Sequence, residues 1–190
     1  MPPLQYVSRL NRTYYLHEGV TKTGKPRYYT SLKNEGKLLD TMPEGFEIYE
    51  NPDGQVYCRK IPKKIITDEE VAIVEQGMKR FSKVEYYTID VRQKTISVFI
   101  SNQDTDRLLE FISPGREQEE ARSILLQAIS YSPYMEFVLT DDKERLFTVR
   151  RYCFLGSVDD WINIGEPGRL DELVEEYVRH LGEDSYYDLY

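Results

Sequence analysis

The 190-residue sequence holds only two cysteines and two histidines. Cys58 and Cys153 are too few for a disulfide framework and too isolated for a paired-thiolate metal site. Each follows a tyrosine in a predicted strand, which favours the role of a small buried hydrophobe. His17 and His180 lack further metal ligands at a useful spacing, so we predict no metal and no cofactor. A nucleophilic pair of Cys58 with His17 stays as an alternative, since both lie in the same predicted module.

The sequence also lacks long apolar runs. No stretch approaches the roughly 18 apolar residues that cross a bilayer, and hydrophobic residues make up 40% of the chain against 31% charged residues. The first residues, Met-Pro-Pro-Leu-Gln-Tyr, have no cationic segment followed by an apolar stretch and a cleavage site. We therefore expect a cytoplasmic protein that does not associate with membranes.

Every familiar catalytic or metal motif is incomplete. No glycine-rich phosphate loop is present, and the stretch 155–159 lacks the second glycine of a nucleophile elbow. Asn102, Asp104 and Asp106 alternate like the start of a calcium loop, but an arginine stands where its glycine belongs. The pair 159–160 could ligate a metal, yet a serine three positions before Asp160 favours a helix start. These absences argue against an enzyme.

Charge is distributed unevenly along the chain. Residues 1–64 contain 11 Lys and Arg against 7 Asp and Glu, whereas the remainder contains 14 against 26, within a total net charge of −8. The acidic part repels nucleic acid and anionic membranes at long range. A role in binding an anionic partner is therefore limited to the first part.

We predict an α+β protein with a boundary near Pro62. Residues 1–64 form a small β-hairpin module, with hairpins over 13–31 and 46–61; the second turns at Asn51-Pro52-Asp53-Gly54. Residues 65–190 form an acidic domain of antiparallel hairpins packed with three amphipathic helices. The helix signals are a capping box at Thr67, a Ser113-Pro114 start and an apolar stripe over 170–181. The segment 107–112 fits either a short strand or a helical turn.

The hairpin 13–31 is the candidate contact surface. Its two tyrosine pairs flank a loop that carries three cations, and aromatic rings beside cations are typical of surfaces for anionic partners. Side chains alternate across a strand, so only one tyrosine of each pair can share a face with the cations. An ordinary hairpin with a solvated loop is the alternative interpretation. The candidate binding residues are Tyr15, Lys22, Lys25, Arg27 and Tyr29.

We expect a non-catalytic binding or adaptor protein that contacts another protein through this hairpin. Single-stranded nucleic acid is a weaker alternative partner. A competing hypothesis is a metal-assisted hydrolase or nuclease that assembles distant carboxylates such as Glu136, Asp141 and Asp159. A third hypothesis uses Tyr186, Tyr187 and Tyr190 as an exposed aromatic interface.

Overall fold

The computed structural model describes residues 2–154 and 159–190. Within these ranges the chain forms four α-helices and eleven strands in antiparallel pairs, which confirms the predicted α+β class. In chain order the elements are β1 (Gln5–Val7), β2 (Thr13–Val20), β3 (Pro26–Ser31), β4 (Phe46–Glu50), β5 (Val56–Lys60), α1 (Asp68–Phe81), β6 (Tyr87–Arg92), β7 (Thr95–Ser101), α2 (Thr105–Ile112), α3 (Gln118–Ala128), β8 (Tyr131–Asp141), β9 (Leu146–Phe154), β10 (Asp159–Asn163), β11 (Gly168–Arg169) and α4 (Leu170–Tyr177).

Contacts divide the described chain into two compact units. The first comprises the residues up to Pro62 together with Gln103–Ser130, and the second comprises Lys63–Asn102 together with the described residues from Tyr131 onward. The sequence-based division after residue 64 assigns 103–130 to the second domain, whereas the contacts group this segment with the first unit. Two long-range hydrogen bonds, which sequence spacing does not show, connect this segment to the first residues of the chain. The Arg9 guanidinium donates to the carbonyl oxygens of Leu126 and Ile129 at 3.3 and 3.1 Å.

Two small sheets form the β part of the first unit. Strands β1, β2 and β3 make one sheet, and β4 pairs with β5 in the other. The two sheets contact each other through Tyr28, whose ring lies edge-on to Phe46, and through the Thr30 hydroxyl, which donates to the Val56 carbonyl at 2.5 Å. Leu16 is fully buried on the same face as Tyr28 and Thr30. This unit therefore has a core of its own.

The predicted turn at Asn51-Pro52-Asp53-Gly54 is present, with the Gly54 amide donating to the Asn51 carbonyl at 2.9 Å. Gly54 has φ of +74°, which favours glycine there. In the first hairpin, β2 continues to Val20 and β3 begins at Pro26, so only residues 21–25 form the connection. Lys22 and Lys25 therefore lie at the tip of a regular hairpin, whereas Arg27 lies on β3.

The segment 107–112 is helical and belongs to α2. The Asp104 carboxylate caps this helix by accepting from the Arg107 amide at 3.0 Å, which gives this acidic residue a structural role. The predicted helix start at Ser113-Pro114 is wrong, because α3 begins only at Gln118. Gly115 lies between them with φ of +74°, a conformation that interrupts a right-handed helix.

The second unit is built on a sheet with the strand order β10-β9-β8-β7-β6, and β11 also pairs with β9. Buried residues alternate along the strands, as the hairpin pattern predicts: Ile96, Val98 and Ile100 on β7, and Phe147 and Val149 on β9. One expectation is wrong here, because the residues from 159 form strand β10 and not the start of a helix. The proposed Ser157 cap lies outside the described residues.

Helices α1 and α4 pack on each other and complete the core of the second unit. The Thr67 capping box is present: the Glu70 amide donates to the Thr67 hydroxyl at 3.2 Å, and the Thr67 amide donates to the Glu70 carboxylate at 2.8 Å. The apolar stripe of the last helix is buried, and its final turn, Val178–His180, is a 3₁₀ helix. Gly182 follows with φ of +81°, a left-handed conformation that is typical of the residue after a helix.

None of the helices in the described ranges has the length and hydrophobicity that spanning a membrane would require.

Candidate functional site

The outer face of β2 and β3 carries three of the five candidate residues. The strand register places Tyr15 opposite Ser31, His17 opposite Tyr29 and Gly19 opposite Arg27. Residues opposite each other, and those two apart along one strand, share a face. Tyr15, Arg27 and Tyr29 therefore lie on one face of this sheet, and Tyr28 lies on the other.

Tyr29 is the centre of this outer face. Its ring stacks on the His17 imidazole with centroids 5.1 Å apart and planes 13° apart. The Arg27 guanidinium lies over the same ring at 5.7 Å from its centroid, which is a cation–π distance. Tyr29 is 38% exposed, whereas Tyr15 is partly buried. The face thus presents one accessible aromatic ring with a cation beside it.

His17 also lies on this face, although it is not among the candidate binding residues that the sequence predicts. It is only 4% exposed, and its Nε2 lies 2.8 Å from the Lys33 carbonyl oxygen, so Nε2 carries the hydrogen. The signal that could have found it is the two-residue spacing from Tyr15. His17 orients the Tyr29 ring.

Lys22 and Lys25 lie at the hairpin tip and are both exposed. Their backbone is ordered by Thr21, whose amide donates to the Lys25 carbonyl at 2.9 Å and whose hydroxyl accepts from the Lys25 amide at 3.1 Å. Gly24 has φ of +78°, a left-handed conformation in this tight loop. The tip therefore projects two lysines from a defined turn.

The pair of Cys58 and His17 has no geometry for nucleophilic catalysis. Cys58 lies on β5 opposite Ile48, while His17 bonds to Lys33 on the outer face of the other sheet. Burial raises the pKa of the Cys58 thiol, which disfavours the reactive thiolate. Both cysteines are free thiols.

The carboxylates of the hydrolase hypothesis do not converge. Asp141 pairs with Leu146 and Asp159 pairs with Phe154, at opposite ends of β9, so about 25 Å of strand separates them. Glu136 lies between, in an ion pair with Arg150. Burial raises the pKa of Glu136 despite this arginine. In the described ranges, no group of three or more His, Cys, Asp or Glu side chains could hold a metal ion.

Asp141 has a structural explanation at its hairpin tip. Its carboxylate accepts from the amides of Lys143 and Glu144 at 2.8 and 2.9 Å. These backbone hydrogen bonds lower the pKa of Asp141. The Asp141 carboxylate thus stabilises the turn.

The terminal aromatic patch is only partly exposed. Tyr186 is 1% exposed, and its hydroxyl lies 2.6 Å from the Tyr134 carbonyl oxygen and 3.1 Å from that of Tyr152. Its assignment to an exposed interface is therefore wrong, because this ring belongs to the core of the second unit. Tyr187 and Tyr190 remain exposed at 55% and 88%.

Comparison with protein-family models, with the curated proteins and with the solved structures found no match for this chain.

Proposed function

We propose that this protein is a non-catalytic binding protein whose β2–β3 hairpin contacts an acidic segment of another protein. The observation that carries the proposal is that one ordered hairpin presents Arg27 over the partly exposed Tyr29 ring and two exposed lysines, Lys22 and Lys25, at its tip. Among the residues that the structure describes, no carboxylate forms an ion pair with these three cations. Their charge is thus open to a partner.

The accessible aromatic surface favours a protein partner over single-stranded nucleic acid. Surfaces that bind single strands stack successive bases on several aromatic rings. Here Tyr29 is the one ring on this face of the described hairpin that is more than a third exposed, and it already stacks on His17. Carboxylates need only cations and donors, which the hairpin supplies.

A cytoplasmic location is part of this proposal. Two free thiols accord with a reducing compartment, where disulfides are rare. The proposed partner is therefore also an intracellular protein.

Titration with a fluorescent Asp/Glu-rich peptide at low salt tests the proposed function. We expect binding that weakens as salt is added, because the contact is electrostatic. Lys22→Glu combined with Lys25→Glu should weaken binding by about tenfold or more, since each reversal replaces attraction with repulsion.

The matched control combines Lys79→Glu with Lys143→Glu, which changes the net charge by the same amount on exposed positions outside the hairpin. This control should bind the peptide almost as the unmodified protein does. Equal losses in both variants, or no binding at low salt, would contradict the proposal. Binding of a labelled oligothymidylate in place of the peptide would assign the surface to nucleic acid.

A further inference from the structure

Helix α2 exposes an apolar surface that the first unit does not use. The helix is amphipathic, yet none of its residues is buried, and Phe111 is 86% exposed. Leu108 and Phe111, three residues apart on the helix, both line a groove of about 720 Å³. Its other lining residues are Gln103, Asp104, Arg107 and Glu110.

This exposure has no explanation in the core of the first unit. The neighbouring helix α3 contributes Ala121, Leu125 and Ile129 to buried positions, each at most 1% exposed. A phenylalanine in water forgoes the free energy that its burial would release. An exposed apolar groove with a polar rim is typical of a docking surface.

The charge around the groove indicates which charge a bound partner carries. Residues 103–120 contain six acidic residues against two arginines. On the groove itself, two carboxylates, Asp104 and Glu110, stand against one guanidinium, Arg107, so its lining is also acidic on balance. A second copy of α2 would bring the same negative charge and would be repelled, and an anionic membrane would be repelled likewise.

We propose that α2 docks a basic amphipathic helix of a partner protein, with its apolar stripe on Leu108 and Phe111 and its cations beside Asp104 and Glu110. This is helix-in-groove recognition, in which apolar anchors three or four residues apart set the affinity. The site is separate from the β2–β3 hairpin and opposite to it in charge. With both, the protein is an adaptor that holds an acidic and a basic partner.

The test uses the full chain and a labelled 16-residue peptide of Leu and Lys, in which Leu recurs at helical spacing. A second peptide of the same composition, with Leu and Lys alternating, has equal charge but no helical stripe. Fluorescence anisotropy should show tighter binding of the helical-pattern peptide by about tenfold or more, because only that peptide presents one apolar face.

Two variants test the residues. Phe111→Ser should lower the affinity for the helical-pattern peptide by about tenfold or more. Tyr190→Ser removes an aromatic ring of similar exposure and should change this affinity by less than about twofold. Glu110→Lys should weaken binding more than Glu166→Lys, an exposed reversal outside the groove. Circular dichroism would show that each variant folds.

Other outcomes would overturn the inference. Equal affinity for the two peptides would show that charge alone drives the binding. Unchanged affinity of Phe111→Ser for the helical-pattern peptide would show that the groove does not bind it. A dimer in sedimentation velocity that Phe111→Ser dissociates would assign the groove to a second copy. Cosedimentation with phosphatidylserine vesicles that depends on Phe111 would assign it to a lipid surface.

Discussion

Single residues in the first unit tie distant segments together through charged hydrogen bonds. The Tyr6 hydroxyl donates to the Glu50 carboxylate at 2.8 Å, and the Arg9 amide donates to the same carboxylate at 3.0 Å. Glu50 thereby connects β1 and the residues after it to the end of β4. Burial, with a further contribution from Glu50, raises the pKa of Tyr6 to about 12. The ionised phenolate is thus disfavoured in the folded protein.

Tyr6 should make stability depend on alkaline pH. Its pKa is about 12 in the folded protein against an ordinary 10.0. Between these values the unfolded chain releases the proton and the folded chain keeps it, so the stabilisation present below pH 10 is lost as pH rises towards 12. Urea unfolding at several alkaline pH values should therefore show a steeper loss for the unmodified protein than for Tyr6→Phe.

Tyr190→Phe is the control for this measurement, since Tyr190 is 88% exposed. Its slope against pH should match that of the unmodified protein. The remaining tyrosines are common to all three proteins and cancel in the comparison. If the free energy of unfolding falls with pH equally steeply in Tyr6→Phe and the unmodified protein, Tyr6 is not the source of the alkaline pH dependence.

At the scale of elements, helices α1 and α4 approach each other at a glycine. Gly77 is buried in α1, and a Cβ at this position would collide with Cγ1 of Val174 on α4. Val174 is itself 1% exposed. Glycine is unfavourable inside a helix by roughly 1 kcal/mol relative to alanine, so its use here reflects the packing distance.

Gly77→Ala should destabilise the protein despite the better helix propensity of alanine. We expect a loss of about 1–3 kcal/mol in the free energy of unfolding from overpacking against Val174. Denaturant unfolding measures this change. Gln76→Ala, at the exposed neighbouring position, should change stability by less than about 0.5 kcal/mol.

A double-mutant cycle separates the collision from other causes. Gly77→Ala should cost less in a Val174→Ala background than in the unmodified protein, because the colliding methyl group is gone. Additive effects of the two substitutions would show that the contact with Val174 does not limit this position.

At the scale of the whole molecule, the chain passes between its two compact units three times. It does so after Pro62, after Asn102 and after Ser130. The segment between the second and third passages, Gln103–Ser130, contains α2 and α3 and belongs to the first unit. The Arg9 guanidinium bonds to α3 and the residue after it, and it also donates to the Pro52 carbonyl at 2.7 Å. One guanidinium thus joins three segments that are distant in sequence.

Arg9→Ala should loosen α3 selectively. The carbonyls of Leu126 and Ile129 lose a charged donor, and hydrogen bonds to charged groups contribute roughly 1.5–3 kcal/mol. Hydrogen exchange should become faster for the amides of α3, while the amides of α1 keep their protection. Arg12→Ala, an exposed arginine nearby, should leave both helices unchanged. Uniformly faster exchange throughout the chain would contradict a local role for Arg9.

The elements that the sequence predicts well depend on residues a few positions apart. The Thr67 capping box, the turn at 51–54 and the apolar stripe over 170–181 are all present, because each rests on short-range spacing that the backbone geometry fixes. The errors occur where short signals compete. Ser113-Pro114 resembles a helix start, but Gly115 places a turn there instead.

Local sequence patterns are sufficient to predict the α+β class, the hairpins and the helices α1 and α4, since alternation and helical spacing are local properties. They also identify the cations and tyrosines of the β2–β3 hairpin. Four features are visible only in the folded chain: 103–130 joins the first unit, His17 stacks on Tyr29, Tyr186 is buried and Phe111 is exposed. The physical reason is that burial and long-range pairing depend on residues brought together by the whole fold, which no local pattern encodes.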